Sequence, residues 1–321
     1  MKKGKASKLA VKRISTSPYF NEHFALLEKQ IIESLGFTEV LTFNSAEVAD
    51  VLITNTHTQL EQLSAIDIER CKLMIHPNSG YDNFSADFIK QTPFPVIIGN
   101  PIRAQAVTEF ILSALFSHYT SIPSQITWDK NRLWPRKRLS ELSLLILGKG
   151  HIGALLEATL KPLVHSISFF DPYCESTQHI PLPDLKNIDV LIPACSLNQN
   201  NHGLINYDWL TQLKKDFLLI NAARGALVKT QDLITVLQQQ KKAHAYLDVF
   251  ELEPADFSLF KGLENIKLSS HIAGVYANID QATSEYEASV IFDFQNITSE
   301  EFENKYQTTL LKNRLRGHFL I

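Results

Sequence analysis

The chain has 321 residues, of which 45% are apolar and 20% are charged, and this length allows two domains with one hydrophobic core each. A formal net charge of −3 argues against a nucleic-acid-binding protein, so no nucleic-acid partner is expected. The three cysteines, Cys71, Cys174 and Cys195, form no CxxC pair, so neither a disulfide framework nor a metal site is predicted.

The chain begins with clustered lysines, but no apolar run of signal-peptide or membrane-spanning length follows them. We expect a solvated tail, no membrane partner and a cytoplasmic location. A transit peptide is the alternative, although the Arg-rich and Ser-rich amphipathic pattern of such peptides is missing.

Strand-length apolar runs alternate with helix-length segments in the first third of the chain, which is typical of βαβ units with a parallel sheet. Residues 21–35 repeat apolar side chains at helical spacing and predict a helix. The strands of this series are predicted at Leu9 to Ile14, Val40 to Phe43, Val51 to Ile53, Leu73 to His76 and Val96 to Ile98.

An amphipathic stretch from Ala104 to His118 predicts a helix that connects two domains. The next segment, Trp128 to Arg138, is basic and contains Pro135, so we interpret it as a surface linker with solvated charges. An anion site in this segment is the alternative.

A second βαβ series runs from Leu142 to about Leu268, and its six predicted strands match the count of a full dinucleotide-binding fold. After Gly274, a helix is predicted over Ala282 to Phe294. The strands of this series are predicted at Ser143 to Leu147, Ser166 to Phe170, Val190 to Ile192, Phe217 to Asn221, His244 to Asp248 and Ile266 to Leu268.

A glycine-rich turn follows the first strand of this second series, at the point where a helix is predicted to begin. The sequence GKGHIG places Gly148, Gly150 and Gly153 around His151 and Ile152. The first glycine permits a tight turn, the second lets the backbone approach a pyrophosphate, and the third lets the helix pack closely on the strand.

An acidic residue ends the next predicted strand. Asp171 stands 23 residues after Gly148, where its carboxylate can accept hydrogen bonds from both ribose hydroxyls of a dinucleotide. The same charge would repel a 2′-phosphate, so NAD is predicted as the cofactor, with NADH preferred over NADPH.

Three further strand ends carry Arg224, Glu253 and His271, the last 18 residues after the glutamate. Because the carboxyl ends of parallel strands share one edge of a sheet, we expect these residues to converge there. An arginine suits a carboxylate ligand, and a histidine suits proton transfer near neutral pH.

The stretch from about Leu73 to Gly274 resembles the NAD-dependent D-isomer-specific 2-hydroxyacid dehydrogenases. The motifs that carry the resemblance occur in the family's order: HPNSGYDNF, GNP followed by AVTEF, GKGHIG, FFDPY, INAARGALV, LDVFELEP and SHIAG. The resemblance implies an α/β fold of two Rossmann-like, doubly wound parallel-sheet domains. The flavodoxin-like substrate domain would be residues 1–100 and 275–321, and the NAD-binding Rossmann domain residues 101–274.

The family implies a catalytic triad of Arg224, Glu253 and His271. His271 would be the general acid and base, Glu253 would orient its ring, and Arg224 would bind the substrate carboxylate and polarise the carbonyl. The substrate carboxylate would also rest on backbone amides at Ser79 and Gly80.

The cofactor would be bound by residues of the glycine-rich turn and of several later strand ends. Asp248 and the backbone near Ala222 would contact the nicotinamide carboxamide, and Glu251 is expected to be solvated. The expected cofactor-binding residues are Gly148, Gly150, His151, Ile152, Gly153, Asp171, Ser196, Ala222, Asp248 and Gly274. The resemblance also implies a homodimer through the cofactor domains and the helix near residues 104–118.

Four positions depart from the family pattern. Asn78 replaces a loop glycine, and its turn could survive because Asn tolerates left-handed backbone angles. Arg103 lies in a shortened loop, where it either contacts an anion or faces solvent. Ser196 and Ser270 replace prolines, which loosens the backbone without removing a reacting group.

The expected activity is the NAD-dependent interconversion of a small 2-oxo acid and its D-2-hydroxy acid by hydride transfer. One alternative is a dehydrogenase of a phosphorylated hydroxy acid, for which Arg103 would be the extra cation. Another is an NAD(H)-sensing binding protein of the corepressor type, which could keep the same triad with little turnover.

Overall fold

The computed structural model describes residues 8–14, 21–42, 45–60, 63, 65–124, 127–179 and 181–321. Positions 1–7 of the predicted lysine-rich tail lie outside the described residues. The chain divides into two compact units, Met1–Arg103 with Val275–Ile321 and Ala104–Gly274, here called the first and the second unit.

The elements of the described residues are as follows. The strands are β1 Leu9–Arg13, β2 Thr38–Val40, β3 Val51–Ile53, β4 Leu73–His76, β5 Val96–Ile98, β6 Ser143–Leu147, β7 Ser166–Phe170, β8 Val190–Pro193, β9 Leu218–Asn221, β10 His244–Leu247, β11 Ile266–Leu268, β12 Leu315–Arg316 and β13 Phe319–Leu320. The α-helices are α1 Glu22–Glu33, α2 Ala65–Arg70, α3 Ala86–Gln91, α4 Asn100–Tyr119, α5 His151–Leu160, α6 Tyr207–Gln212, α7 Thr230–Gln239, α8 Ile279–Asn296 and α9 Ser299–Lys305.

In the first unit, the described strands form a parallel sheet in the order β2-β1-β3-β4-β5, which is the flavodoxin-like order 2-1-3-4-5. Successive side chains of its strands point to opposite faces and enter two separate apolar clusters. On β4, for example, Ile75 enters one cluster and Met74 the other. Both faces of the sheet are therefore covered, as the alternating βαβ pattern predicts.

The second unit contains a parallel sheet in the order β11-β10-β9-β8-β6-β7. Counted along the chain, this is the order 2-1-3-4-5-6, so the direction of winding reverses beside β6. Apolar clusters cover both faces, and Leu144 and Leu145 of β6 enter different ones. The predicted fold class is confirmed: both units are doubly wound α/β sheets, and a ligand crevice is expected where the winding reverses.

Most predicted elements are found within a few residues of their expected bounds, with one clear shift. Strand β2 lies at Thr38–Val40 and not at Val40 to Phe43, because it pairs residue by residue with Leu9–Val11 of β1. Phe43 itself lies outside the described residues. Thr38 is buried and its hydroxyl donates to the carbonyl of Ile32, which connects the strand to the end of α1.

No helix in the described part of the chain is both long enough and apolar enough to span a bilayer. The segment 127–138 is exposed along nearly its whole length, as predicted for a surface linker. It differs from the prediction in one respect, because Trp128, Leu133 and Trp134 present 82%, 86% and 45% of their surface to solvent. Lys137 attaches the end of this segment to Asp189 and Asp216.

Candidate active site

The glycine-rich turn joins β6 to α5 in the second unit, and two of its glycines are required by close packing. A side chain at Gly148, whose φ is +102°, would lie 2.8 Å from Cβ of Cys195. A side chain at Gly153 would lie 2.3 Å from the carbonyl oxygen of Gly148. The turn is therefore compact, and both positions tolerate glycine alone.

Gly150 has a different environment, because a Cβ there would meet no atom within 4 Å. It precedes α5 as its N-cap, and no side chain caps the helix at this position. Gly150 has no side chain that could accept hydrogen bonds from the amides of the first turn, which include those of His151 and Ile152. The backbone at Gly150 borders open space, at the helix end that carries the positive partial charge. This arrangement fits the pyrophosphate of a dinucleotide, since an anion can approach the backbone at Gly150 but not at the closely packed Gly148 and Gly153.

Asp171 directly follows β7, the neighbour of β6. Its two carboxylate oxygens accept the amides of Lys149, at 2.8 Å, and Tyr173, at 3.0 Å. Each oxygen keeps lone-pair capacity for a ribose hydroxyl. The Lys149 ammonium is paired with Glu157 at 3.3 Å, and residues 172–179 contain no Lys or Arg. The loop after β7 therefore offers a ribose ligand but no cation for a 2′-phosphate.

The segments after β8 and β9 carry Ser196, Ala222 and Arg224. The Ser196 carbonyl accepts the side-chain amide of Asn201, which fixes the turn that follows β8. Arg224 is partly buried, and its Nη1 donates to the carbonyl of Ala223 at 2.8 Å. The next residue, Gly225, packs so closely on Phe250 that a Cβ would lie 1.9 Å from the Phe250 carbonyl carbon. The loops after β9 and β10 are therefore in direct contact.

His271 and Glu253 form a hydrogen-bonded pair in the loops that follow the adjacent strands β11 and β10. Nδ1 of His271 lies 2.8 Å from Oε2 of Glu253, while Oε1 of Glu253 accepts the amide of Phe250 at 2.9 Å. The glutamate is thus held on both oxygens, and because Nδ1 is engaged by Glu253, Nε2 is the ring nitrogen that can exchange a proton with a ligand. The two side chains remain 54% and 35% exposed, so a substrate can reach them.

The backbone at His271 is strained. Its φ is +55°, and it is the one non-glycine residue with positive φ among those that the structure describes. Such strain is costly for a residue with a Cβ and is found preferentially at functional sites. Asn78, where a left-handed turn was expected to be tolerated, adopts no positive φ.

Asp248 holds the His271 loop in place. Its fully buried carboxylate accepts the Ser269 hydroxyl at 2.6 Å and the amides of Ile272 and Ala273 at 2.9 and 2.8 Å. Its carbonyl accepts the His271 amide at 2.7 Å. Asp248 thus lies beneath the segment that contains His271 and ends before Gly274, and it fixes the backbone of the histidine. Spacing in the sequence does not reveal this positioning role.

Glu251 has a function that the sequence analysis missed. It was expected to be solvated, and it is exposed, but its Oε2 also accepts the amide of Thr230 at 3.2 Å, at the first residue of α7. A carboxylate at this position satisfies a free amide and interacts favourably with the helix dipole. Glu251 therefore connects the loop after β10 to α7.

In the first unit, the predicted substrate loop follows β4 and is held by hydrogen bonds that its backbone carbonyl groups accept. Buried His76 donates from Nε2 to the carbonyl of Gly80 at 2.7 Å, and the Gly99 amide lies 3.1 Å from the Asn78 carbonyl. Arg103 Nη1 donates to the Pro77 carbonyl at 2.8 Å. His76 and Gly99 are residues that the sequence analysis did not assign to the site.

The described residues contain no group of three His, Cys, Asp or Glu side chains that could hold a metal ion. Burial raises the pKa of the Cys71 and Cys195 thiols to about 12. Both thiols are therefore protonated near neutral pH and are unsuited to nucleophilic catalysis.

A doubly wound sheet with an open glycine turn, an acid after the second strand and a His–Glu pair after later strands defines a dinucleotide-binding α/β protein with an acid–base site. Residues 112–273 match the family model for the D-isomer specific 2-hydroxyacid dehydrogenase, NAD binding domain. The chain belongs to this family.

The chain is 24% identical over 277 residues to the D-3-phosphoglycerate dehydrogenase of Methanocaldococcus jannaschii, covering 81% of this chain and 53% of that protein. It is 30% identical over 206 residues to the 2-ketogluconate reductase of Gluconobacter oxydans, covering 60% and 66%. The chain thus spans between about half and two thirds of the length of these relatives.

A solved structure of similar fold is that of the NADPH-dependent glyoxylate/hydroxypyruvate reductase of Sinorhizobium meliloti, in complex with NADP and malonate. The TM-score is 0.71 with 17% sequence identity, and the alignment covers 98% of this chain and 99% of that one. At this level of identity the comparison shows a shared fold.

Proposed function

We propose that the protein is an NAD-dependent oxidoreductase that interconverts a small 2-oxo acid and its D-2-hydroxy acid. The observation that carries this proposal is the Glu253–His271 pair, with Nδ1 held at 2.8 Å and Nε2 left for the substrate. The position of this pair, on the carboxyl edge of the same sheet as the open glycine turn, supports acid–base chemistry beside a dinucleotide.

A bound nicotinamide would supply or accept the hydride at C2 of the substrate. In the direction of reduction, Nε2 of His271 donates a proton to the oxygen that gains negative charge, and in oxidation it accepts the proton. Glu253 keeps the ring in one orientation and balances the charge of the protonated imidazole. Asp248 contributes by accepting the backbone amides of His271 and of the two residues that follow it.

Arg224 binds the substrate carboxylate through its planar guanidinium and stabilises charge that develops on the carbonyl oxygen. The amides of Ser79 and Gly80 are proposed as further carboxylate donors. In support, donors from His76, Gly99 and Arg103 engage the carbonyls of residues 77, 78 and 80 and so fix this loop.

We propose NAD as the cofactor, with Gly148, Gly150, Gly153 and Asp171 at its phosphates and ribose. Preference for NADH over NADPH is supported by the carboxylate of Asp171 and by the absence of Lys and Arg from residues 172–179. Ser196, Ala222, Asp248 and Gly274 are proposed to lie along the nicotinamide half.

We also propose that two copies of the chain form a homodimer through the second unit. The support is the exposed apolar surface of Trp128, Leu133 and Trp134 in the segment after α4. Several large exposed apolar side chains close together are typical of a surface that a partner protein covers. The cytoplasmic location stays a prediction from the sequence.

The activity is tested by following NADH absorbance with a panel of glyoxylate, hydroxypyruvate, pyruvate and 3-phosphohydroxypyruvate. We expect oxidation of NADH with at least one of them, and a loss of about 100-fold or more in His271→Asn and Arg224→Ala. Full activity in Arg224→Ala would contradict the proposed mechanism. Binding of NADH without turnover of any acid would instead favour an NAD(H)-sensing protein.

A further inference from the structure

Two arginines of the first unit, the buried Arg13 and the partly buried Arg103, differ in their partners. Arg13 lies 2.5 Å from an oxygen of Glu28 and 2.7 Å from an oxygen of Glu287. Arg103, in the first turn of α4, donates one hydrogen bond, from Nη1 to the Pro77 carbonyl at 2.8 Å. Among the described residues, no carboxylate oxygen lies within 4.0 Å of Arg103.

The acids that act on Arg103 from a distance do not replace a direct partner. Asp280 and Glu287, both on α8, are the carboxylates whose charges reach it. Glu287 is already engaged by Arg13 at 2.7 Å, and burial raises the pKa of its carboxyl, so its charge is directed to Arg13 and not to Arg103. Burial also lowers the pKa of Arg103, in keeping with a partly buried guanidinium that forms no ion pair with the described residues.

Arg103 retains most of its hydrogen-bonding capacity beside the loop that is proposed to bind the substrate. A guanidinium has five N–H donors in a planar fork, and one of them is used here. Pro77, its acceptor, is two residues from Ser79, and two residues of extended chain span at most about 7 Å. A compact ligand on the Ser79 and Gly80 amides could therefore present a second anionic group to Arg103.

We propose that Arg103 is a specificity-determining residue that binds a second anionic group of the substrate, so that the substrate is a 2-oxo acid with a distal carboxylate or phosphate. The inference rests on the proposed function, because it takes the loop of residues 77–80 as the site of the first carboxylate. An anion at Arg103 would replace the lost water with charge-assisted hydrogen bonds, which are among the strongest in proteins.

The test compares matched substrates that differ in one anionic group. Pyruvate and oxaloacetate differ by a carboxylate on C3, and hydroxypyruvate and 3-phosphohydroxypyruvate differ by a phosphate. We expect kcat/KM of the wild-type protein to favour one dianion over its monoanionic partner. Arg103→Gln should lower kcat/KM for that dianion by about 10- to 100-fold, with a change of less than about threefold for the monoanion.

Matched variants separate recognition from folding. Arg103→Lys keeps the positive charge but not the planar set of guanidinium N–H donors, and it should retain part of the preference for the dianion. Arg316→Gln is the control, because this exposed arginine of the same unit also donates to backbone carbonyls. Equal losses for monoanion and dianion in Arg103→Gln would show that the residue only supports the loop, and would overturn the inference. So would a wild-type protein that favours neither dianion.

Calorimetry separates a failure of this inference from a failure of the proposed function. D-malate with D-lactate, and 3-phospho-D-glycerate with D-glycerate, are titrated as matched pairs in the presence of NADH, with which a hydroxy acid cannot react. Tighter binding of one dianion that is lost in Arg103→Gln, without turnover of any 2-oxo acid, would reject the proposed activity and keep the dianion site. Turnover of 2-oxo acids with no advantage for either dianion would keep the activity and reject the site. Absence of binding of both dianions would also reject the site.

Discussion

Oε2 of Glu253 lies 2.8 Å from Nδ1 of His271, and the other oxygen of the same carboxylate accepts the Phe250 amide at 2.9 Å. The glutamate is therefore not a mobile surface acid but a rigid connection between the backbone after β10 and the histidine after β11. Rigidity of this kind orients a general acid without adding a reorganisation step to catalysis.

Replacing Glu253 by Gln keeps the size of the side chain and removes its charge. We expect kcat to fall by about 10- to 100-fold with little change in KM, because a charge-assisted hydrogen bond to the imidazole is lost. Glu251→Gln is the matched control, since this neighbouring acid contacts α7 and not the histidine. Steady-state kinetics that give the two variants equal activity would contradict the role of Glu253.

The glycine-rich turn allows cofactor binding to be separated from folding. In Gly150→Ala, the added methyl meets no protein atom within 4 Å, so the melting temperature should be unchanged, while the Kd for NADH should rise by about tenfold or more. In Gly153→Ala, the methyl would lie 2.3 Å from the Gly148 carbonyl, and the free energy of unfolding should fall by roughly 1–3 kcal/mol. Thermal unfolding and NADH fluorescence measure the two effects. Undiminished NADH affinity in Gly150→Ala would place the dinucleotide elsewhere.

The choice between NADH and NADPH is expected to depend on Asp171. In Asp171→Ser, the charge that repels a 2′-phosphate is removed, while a hydroxyl remains to accept one backbone amide. The ratio of kcat/KM for NADH to that for NADPH should fall by about tenfold or more. An unchanged ratio would mean that another residue selects the cofactor.

The buried group of Arg13, Glu28 and Glu287 should make stability depend on pH. Burial raises the folded-state pKa of Glu287 to about 8, above its usual value of 4.5, despite the opposing charge of Arg13. The folded protein thus holds a proton that the unfolded chain releases between these values. The resulting stabilisation is fully present below about pH 4.5 and is lost as the pH rises through 8.

Denaturant unfolding at pH 5.5 and pH 8 tests this dependence. The free energy of unfolding should fall more between these pH values in the wild-type protein than in Glu287→Gln, which cannot ionise. The Glu301→Gln variant is the control, because Glu301 is exposed and caps α9 in the same unit. Identical pH dependence in wild type and Glu287→Gln would contradict the assignment.

The exposed apolar side chains after α4 lead to a prediction about assembly. Light scattering coupled to size exclusion should give the mass of a dimer for the wild-type protein and that of a monomer for the Trp128→Ser, Leu133→Ser double variant. Lys130→Ser is the control, because this residue is exposed on the same segment and is not apolar. A monomeric wild-type protein would reject the proposed homodimer.

The sequence predicts those features of the site that depend on local pattern. A glycine-rich turn after an apolar strand and an acid at the next strand end follow from the geometry of a βαβ unit. Convergence of Glu253 and His271 follows from their places at adjacent strand ends. These features can be read from spacing because parallel strands share a carboxyl edge.

Other features depend on which loops contact each other after folding, and no spacing rule reveals them. The buried carboxylate of Asp248 beneath the His271 loop, the left-handed backbone of His271 and the contact of Glu251 with α7 are examples. The lack of a carboxylate partner for Arg103 is another, because it requires knowing the positions of all neighbouring acids. The order of the second sheet, with β8 beside β6, likewise depends on tertiary packing.

The most direct test of the central claim is transfer of deuterium from NADH labelled at C4 of the nicotinamide, on each face in turn, to a 2-oxo acid that the protein reduces. We predict that one of the two labelled cofactors gives a D-2-hydroxy acid with deuterium at C2, and that His271→Asn forms this product at least about 100-fold more slowly. Binding of NADH without deuterium in any product, or an unchanged rate in His271→Asn, would contradict the account.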